Sequence, residues 1–264
     1  MIQRERVLNS SPSLWVVAWA ICRRGILRIV TRPPLILPIV MMPVVVLVSF
    51  TGAFSSLTQI NGYGAENVYD WMTPYAALQG AVFAGVFGAA ATAEDFESGF
   101  FDRLLLAPGR RLSLLMGTVW YSALRSVLPT AAVFFVALAG GLNVSGGPLA
   151  VLLLFAGSAG IAILFCFISL GVVYRMRTMR SLMIVQLVAF SSMFLSIGQV
   201  PLSFMNGWLH EVARLNPATN MLRFVRQGFI GDITWAATWP GLVAYGSTIA
   251  VGFLLAFSGL KRID

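Results

Sequence analysis

Apolar residues fill the chain in long runs, and a few short polar stretches between them set the architecture. Six apolar segments, approximately residues 35–54, 72–93, 112–139, 149–173, 182–200 and 240–260, are each long enough for a membrane-spanning helix, which needs about 20 residues. The third is overlong, as expected of a tilted span or of one that begins with an interfacial turn. Ahead of them, Trp15, Trp19, Cys22, Ile26 and Ile29 recur at 4-3-4-3 spacing, while Arg24, Arg28 and Arg32 line an opposite face. That pattern predicts a helix lying in the membrane interface, because the arginines here are too costly in hydrocarbon for a first span. Pro33-Pro34 ends it.

The segment 201–239 is richer than a loop. Trp208, Val212 and Leu215 mark one short apolar helix face, Asn216-Pro217 breaks the chain, and Met221, Leu222, Val225 and Phe229 mark a second face ending at Gly231-Asp232. Two short half-buried helices read as a re-entrant or interfacial hairpin, tolerated at membrane depth only under a cover of protein. Trp235 and Trp239 follow as interface anchors. The expected fold is therefore an all-α membrane protein. Residues 1–34 form a tail and interface helix, and residues 35–264 form a six-helix transmembrane domain.

One polar stretch, Glu94 to Arg111, holds four of the ten acidic residues and lies between the second and third apolar segments. Within it Phe96, Phe100 and Leu104 recur every four residues, with Phe101 and Leu105 alongside, predicting a short amphipathic helix. Pro108-Gly109 stops that helix, and Arg110 and Arg111 follow the stop. A charged helix between two spans is a handle for another protein.

Composition sharpens this picture. The chain is 58% hydrophobic and 11% charged, with a mean hydropathy of +0.83, against about 25% charged residues in a soluble domain. Of its 18 basic residues 17 are arginine, which suggests a high-GC, bacterial source. Fourteen of the 18 fall in the N-terminal region, after the second and fourth segments, and at the C-terminus. Loops rich in arginine and lysine stay cytoplasmic, so both termini and the Glu94–Arg111 stretch are expected inside a plasma membrane crossed several times. The same distribution accounts for the net charge of +8 without nucleic acid. The apolar run Leu14 to Cys22 is too short, and too closely followed by Arg23-Arg24, for a signal peptide.

Several chemistries are excluded. A phosphate-binding loop ends in Gly-Lys-Ser/Thr, and the one lysine, Lys261, sits between Leu260 and Arg262. The single histidine, His210, cannot build a multi-histidine metal site, and Cys22 and Cys166 have no CxxC spacing. None of the ten carboxylates falls inside a predicted span, which argues against proton- or sodium-coupled transport. Arg125 is the one charge clearly inside one, either facing a cavity or a partner carboxylate or snorkelling inward past Pro129. Gln79 in the second span and Gln186, Ser191, Ser192, Ser196 and Gln199 in the fifth either line a wet path or make ordinary interhelical hydrogen bonds. Ala81, Gly85 and Ala89, beside Ala84 and Gly88, predict close helix approach and a subunit contact.

The order of these elements resembles the permease subunits of ABC type-2 exporters, the daunorubicin-resistance and multidrug type among them. The resemblance is carried by Glu97-Ser98-Gly99-Phe100-Phe101-Asp102-Arg103-Leu104-Leu105-Leu106-Ala107-Pro108, by Leu215-Asn216-Pro217, and by Gly228-Phe229-Ile230-Gly231. It implies a dimer, of identical or different permeases, bound on its cytoplasmic face to two ATPase subunits that hold ATP and Mg. The chain itself would carry no cofactor and no catalytic residue. The stretch Glu94, Asp95, Glu97, Gly99, Phe100, Asp102, Arg103, Leu104, Pro108 and Arg110 would be its coupling helix, and Trp15, Trp19, Arg24 and Arg28 would belong to its interface helix. Substrate would pass near the second and fifth spans, past Gln79, Arg125, Gln186, Ser192 and Gln199, with Asn216 and Pro217 shaping the outer hairpin. The expected cargo is a hydrophobic or amphiphilic small molecule; a lipid or polysaccharide for the cell envelope is the alternative, and a membrane anchor or secondary transporter a third.

Overall fold

The computed structural model describes residues 13–31, 37–60, 63–106 and 111–263. Among these the regular structure is helical, with no strand. In chain order the helices are α1 (Leu14–Thr31), α2 (Leu37–Ala53), α3 (Val68–Gly88), α4 (Ala90–Glu97), α5 (Phe100–Leu105), α6 (Arg111–Ala139), α7 (Gly147–Met176), α8 (Ser181–Phe194), α9 (Trp208–Leu215), α10 (Pro217–Ile230) and α11 (Trp235–Leu260). Among the described residues four stretches are long and apolar enough to cross a membrane: Val68–Glu97, Arg111–Ala139, Gly147–Met176 and Trp235–Leu260. The expected first and fifth spans are the shorter apolar helices α2 and α8, of 17 and 14 residues.

α3 is the central post. From Trp71 to Val82 every residue is buried, whichever way it points, because α2, α6, α7, α8 and α10 all pack around it. A helix apolar all round is expected to be enclosed in this way. α3 begins at Val68, four residues before the predicted span, because Asn67 and Asp70 cap it reciprocally. Asn67 Oδ1 accepts from the Tyr69 N–H at 3.0 Å, and Asp70 Oδ2 accepts from the Asn67 N–H at 3.2 Å. The other Asp70 oxygen accepts from the Asn143 N–H at 2.8 Å. A carboxylate read as lying outside the spans thus sits buried in the first turn of one.

The row of small residues on α3 faces inward, which corrects the expected subunit contact. Ala81, Ala84 and Ala89 are fully buried within this single chain. A Cβ on Gly85 would lie 2.5 Å from the Ala162 carbonyl oxygen of α7, and one on Gly88 would collide with Ser122 of α6. These positions let three helices of one subunit approach closely.

α8 stops at Phe194, short of the predicted limit at residue 200. Its last carbonyls and those beyond find partners outside the helix. The Asn216 amide donates to the Ser192 and Leu195 carbonyls at 2.6 and 3.1 Å. Arg226 donates to the carbonyls of Ile197 and Gly198 at 2.8 and 2.9 Å. Side chains replace the helical ladder there, so the backbone turns away without orphaning its polar groups.

α1 packs lengthwise on α6 through a small-residue stripe, Ala18, Cys22 and Gly25. Trp15 and Trp19, read as one face with Cys22, are instead 59% and 54% exposed. The helix buries its smallest residues because Gly117 of α6 lies directly against the Ala18 carbonyl. That leaves the tryptophans facing outward, with Trp15 also stacked on Trp120 at 5.5 Å between centroids.

Candidate functional site

The Glu94–Leu106 stretch folds as two helices, α4 and α5, where the sequence predicts one. Gly99 separates them in the left-handed region at φ 68°, a conformation glycine reaches without strain. Ahead of it the Ser98 N–H donates to the Glu94 carbonyl at 2.9 Å and the Gly99 N–H to the Phe96 carbonyl at 3.1 Å, closing α4. The break resets the helical phase. Phe101 rather than Phe100 turns inward, 2% against 40% exposed. Phe101 stacks on Phe96 at 4.0 Å, and both rings lie about 6 Å from Tyr174 of α7, at 6.1 and 6.2 Å between centroids.

Three acidic side chains of this stretch are engaged by other parts of the chain. Arg24 Nη1 and Nη2 donate to the two Asp95 carboxylate oxygens at 3.0 and 2.6 Å. Arg28, one turn along α1, donates to Glu94. Glu97 Oε1 accepts from the Met179 N–H at 2.7 Å, in the turn between α7 and α8. The Arg177 guanidinium lies 5.8 Å from the Phe96 ring centre, and the Arg24 guanidinium 5.1 Å from that of Phe100. Helix α1, the α4–α5 stretch and the α7–α8 turn therefore form one braced end of the molecule. Asp102 and Arg103 face outward, Leu104 is half-buried, and Leu106 is 86% exposed. Pro108 and Arg110 lie outside the described residues.

The five residues expected along a translocation path are dispersed. Gln79 is buried within the chain, and its amide has no hydrogen-bond partner among the described residues; the buried amide atoms of half-buried Gln186 likewise have none there. Gln199 is half-buried after the end of α8. Ser192 joins the α9–α10 hairpin: its hydroxyl lies 3.5 Å from Asn216 Oδ1, while Asn216 Nδ2 donates to the Ser192 carbonyl. Arg125 reaches the break between α3 and α4, where its Nη1 donates to the Phe87 carbonyl at 2.9 Å. It is 9% exposed and borders a cavity.

Asn216 and Pro217 start α10 as a cap and first-turn proline. Asn216 Oδ1 accepts from the Ala218 N–H at 2.9 Å, and proline at the first helical position has no N–H to leave unpaired. Arg226, which no sequence motif singled out, is the anchor of this hairpin. It is 1% exposed and donates to three carbonyls, those of Trp71, Ile197 and Gly198, at 3.1, 2.8 and 2.9 Å. Its guanidinium also stacks 3.8 Å from the Trp71 ring centre. Burial pushes its pKa below the ordinary guanidinium value, against a smaller opposing effect from Tyr63. The signal was present in the sequence, since residue 226 falls within the apolar stripe of Leu222, Val225 and Phe229.

Several helices long and apolar enough to cross a membrane, braced together at one polar end, make this a helical membrane protein. The family described as ABC-2 type transporter matches residues 17–230, most of the chain, and this protein belongs to that family. No individually curated protein matches it.

Proposed function

We propose that this chain is the transmembrane subunit of an ATP-driven exporter that moves hydrophobic or amphiphilic compounds out of the cytoplasm or inner leaflet. It would cross a bacterial plasma membrane six times, with α2 and α8 as the short first and fifth spans and both termini cytoplasmic. Two such permeases, identical or different, would carry two ATPase subunits that bind ATP and Mg. One observation carries this reading: the α4–α5 stretch is held from three sides yet keeps Phe100, Asp102, Arg103 and Leu106 exposed. A projection fixed to several spans passes a partner's movement to them, whereas a loose loop would absorb it. Glu94, Asp95, Glu97 and Gly99 would brace and shape the contact, and Phe100, Asp102, Arg103 and Leu104 would make it.

Phe100→Asp tests this in membranes containing the partner ATPase. Export should fall about tenfold or more while the subunit keeps its thermal stability, since an exposed ring is lost and a desolvated charge gained at the contact. Unchanged export would overturn the coupling role. The alternative cargo, an envelope lipid or polysaccharide, would replace the first if lipid extracts stimulate the ATPase and small hydrophobic compounds do not.

A further inference from the structure

A cavity of about 350 Å³ opens where α1, α2, α4 and α6 meet. Ile29, Ile39 and Phe87 give it apolar walls, and Arg28, Tyr121 and Arg125 give it one cationic side. Arg125 donates from Nη1 to the Phe87 carbonyl, and its Nε is buried with no hydrogen-bond partner among the described residues. Tyr121 holds the guanidinium from the other face, 5.8 Å from ring centre to Cζ. The single acidic group on the wall, Glu94, is shared with Arg28. The described wall therefore carries two cations, Arg28 and Arg125, against one anion, Glu94. Excess positive charge beside apolar walls is costly unless an anion balances it.

Beside the cavity, α2 carries an exposed apolar ridge: Leu37 at 63%, Met41 at 45%, Val45 at 51% and Val48 at 48%. These residues follow 4-4-3 spacing and so form one continuous stripe along the helix, beginning at Leu37 next to the cavity-lining Pro38. A polar anion would use the arginines and leave the ridge untouched. A molecule with an anionic head and apolar tails uses both.

We propose that this cavity is a binding site for the headgroup of an anionic phospholipid, with its phosphate between the Arg28 and Arg125 guanidinium groups and its acyl chains along the α2 ridge. The phosphate shares Arg28 with Glu94, so the site and the α1–α4 contact are linked. Nothing in this assignment depends on export or on the partner ATPase.

Native mass spectrometry of the purified full chain, equilibrated with equal amounts of phosphatidylglycerol and phosphatidylcholine, reads the site directly. One phosphatidylglycerol should be retained per chain, about tenfold over phosphatidylcholine, as a charge-assisted contact predicts. Arg28→Gln and Arg125→Gln should each remove most of that preference, while Glu94→Gln, which frees Arg28, should strengthen it. Should Arg125→Gln fail to fold, the opposite signs of Arg28→Gln and Glu94→Gln decide. Equal retention of the two lipids, or a preference unchanged in Arg28→Gln, would overturn the site. Displacement of phosphatidylglycerol by inorganic phosphate at equal concentration would overturn the lipid assignment in favour of a soluble anion.

Discussion

Arg24 grips Asp95 with both terminal nitrogens, at 3.0 and 2.6 Å, joining α1 to the polar stretch after α3 across a sequence separation of 71. The Asp95 side chain is largely buried and that of Arg24 is 45% exposed. This places the pair between a surface ion pair and a buried one. With Arg28 on Glu94 a turn away, two neighbouring contacts bind α1 to α4. Bidentate geometry makes such a pair directional as well as attractive.

Reversing one charge should therefore cost more than deleting the pair. Arg24→Asp is expected to destabilise the subunit by about 1–3 kcal/mol, since it leaves two carboxylates facing each other with one largely buried. The double variant Arg24→Asp with Asp95→Arg should recover at least half of that loss. Thermal unfolding in detergent, where 1 kcal/mol corresponds to roughly 2–4 °C in a chain of this size, measures both. Absence of any recovery in the double variant would show that the two residues do not act as a pair.

At Gly99 a side chain meets open space, with nothing within 4 Å of an added Cβ, so any cost of substitution comes from the backbone. Gly99→Ala should cost about 1–2 kcal/mol because φ 68° is left-handed. Gly99→Asn should cost clearly less, since asparagine tolerates that region. Equal losses in the two variants would argue against a conformational role. The comparison is made by thermal unfolding of both variants side by side.

How far the sequence disclosed this arrangement depended on what each residue contacts. Arg24 and Asp95 were each singled out, one for its helix face and one for its polar stretch, but no periodicity joins residues so far apart. α6 ends at Ala139 as predicted because its apolar run ends there. α8 ends early because Asn216 and Arg226, from a distant hairpin, take over the carbonyls near its end. Gly99 was read as part of a continuous helix, since Phe96, Phe100 and Leu104 keep helical spacing across it. A single left-handed residue outweighed that pattern. Ser192 and Asn216 were likewise noted separately and assigned different roles; only the fold brings them together.

Arg226 should be the least replaceable cation in the described chain. Its three carbonyl partners lie on α3 and on the segment after α8, so truncation leaves several buried acceptors unpaired at once. Arg226→Gln is expected to cost about 3–5 kcal/mol or to prevent folding. Arg226→Lys should rescue it poorly, because one ammonium cannot reproduce the planar fork or its stacking on Trp71. Proteolysis within residues 201–231 would report loosening of the hairpin. A lysine variant as stable as the parent would show that charge alone suffices.

The glycine row on α3 separates packing within a subunit from packing between subunits. A methyl group on Gly85 meets the Ala162 carbonyl oxygen at 2.5 Å and its Cα at 3.0 Å, both backbone atoms that cannot rotate away. Gly85→Ala should thus push α3 and α7 apart and cost about 1–3 kcal/mol, the usual range for overpacking. If that cost arises within one chain, the fall in melting temperature should be the same at low and high protein concentration. A shift that shrinks as concentration rises would instead place Gly85 at an interface between copies, since association stabilises by mass action. Full burial of Ala81, Ala84 and Ala89 in the single chain favours the first outcome.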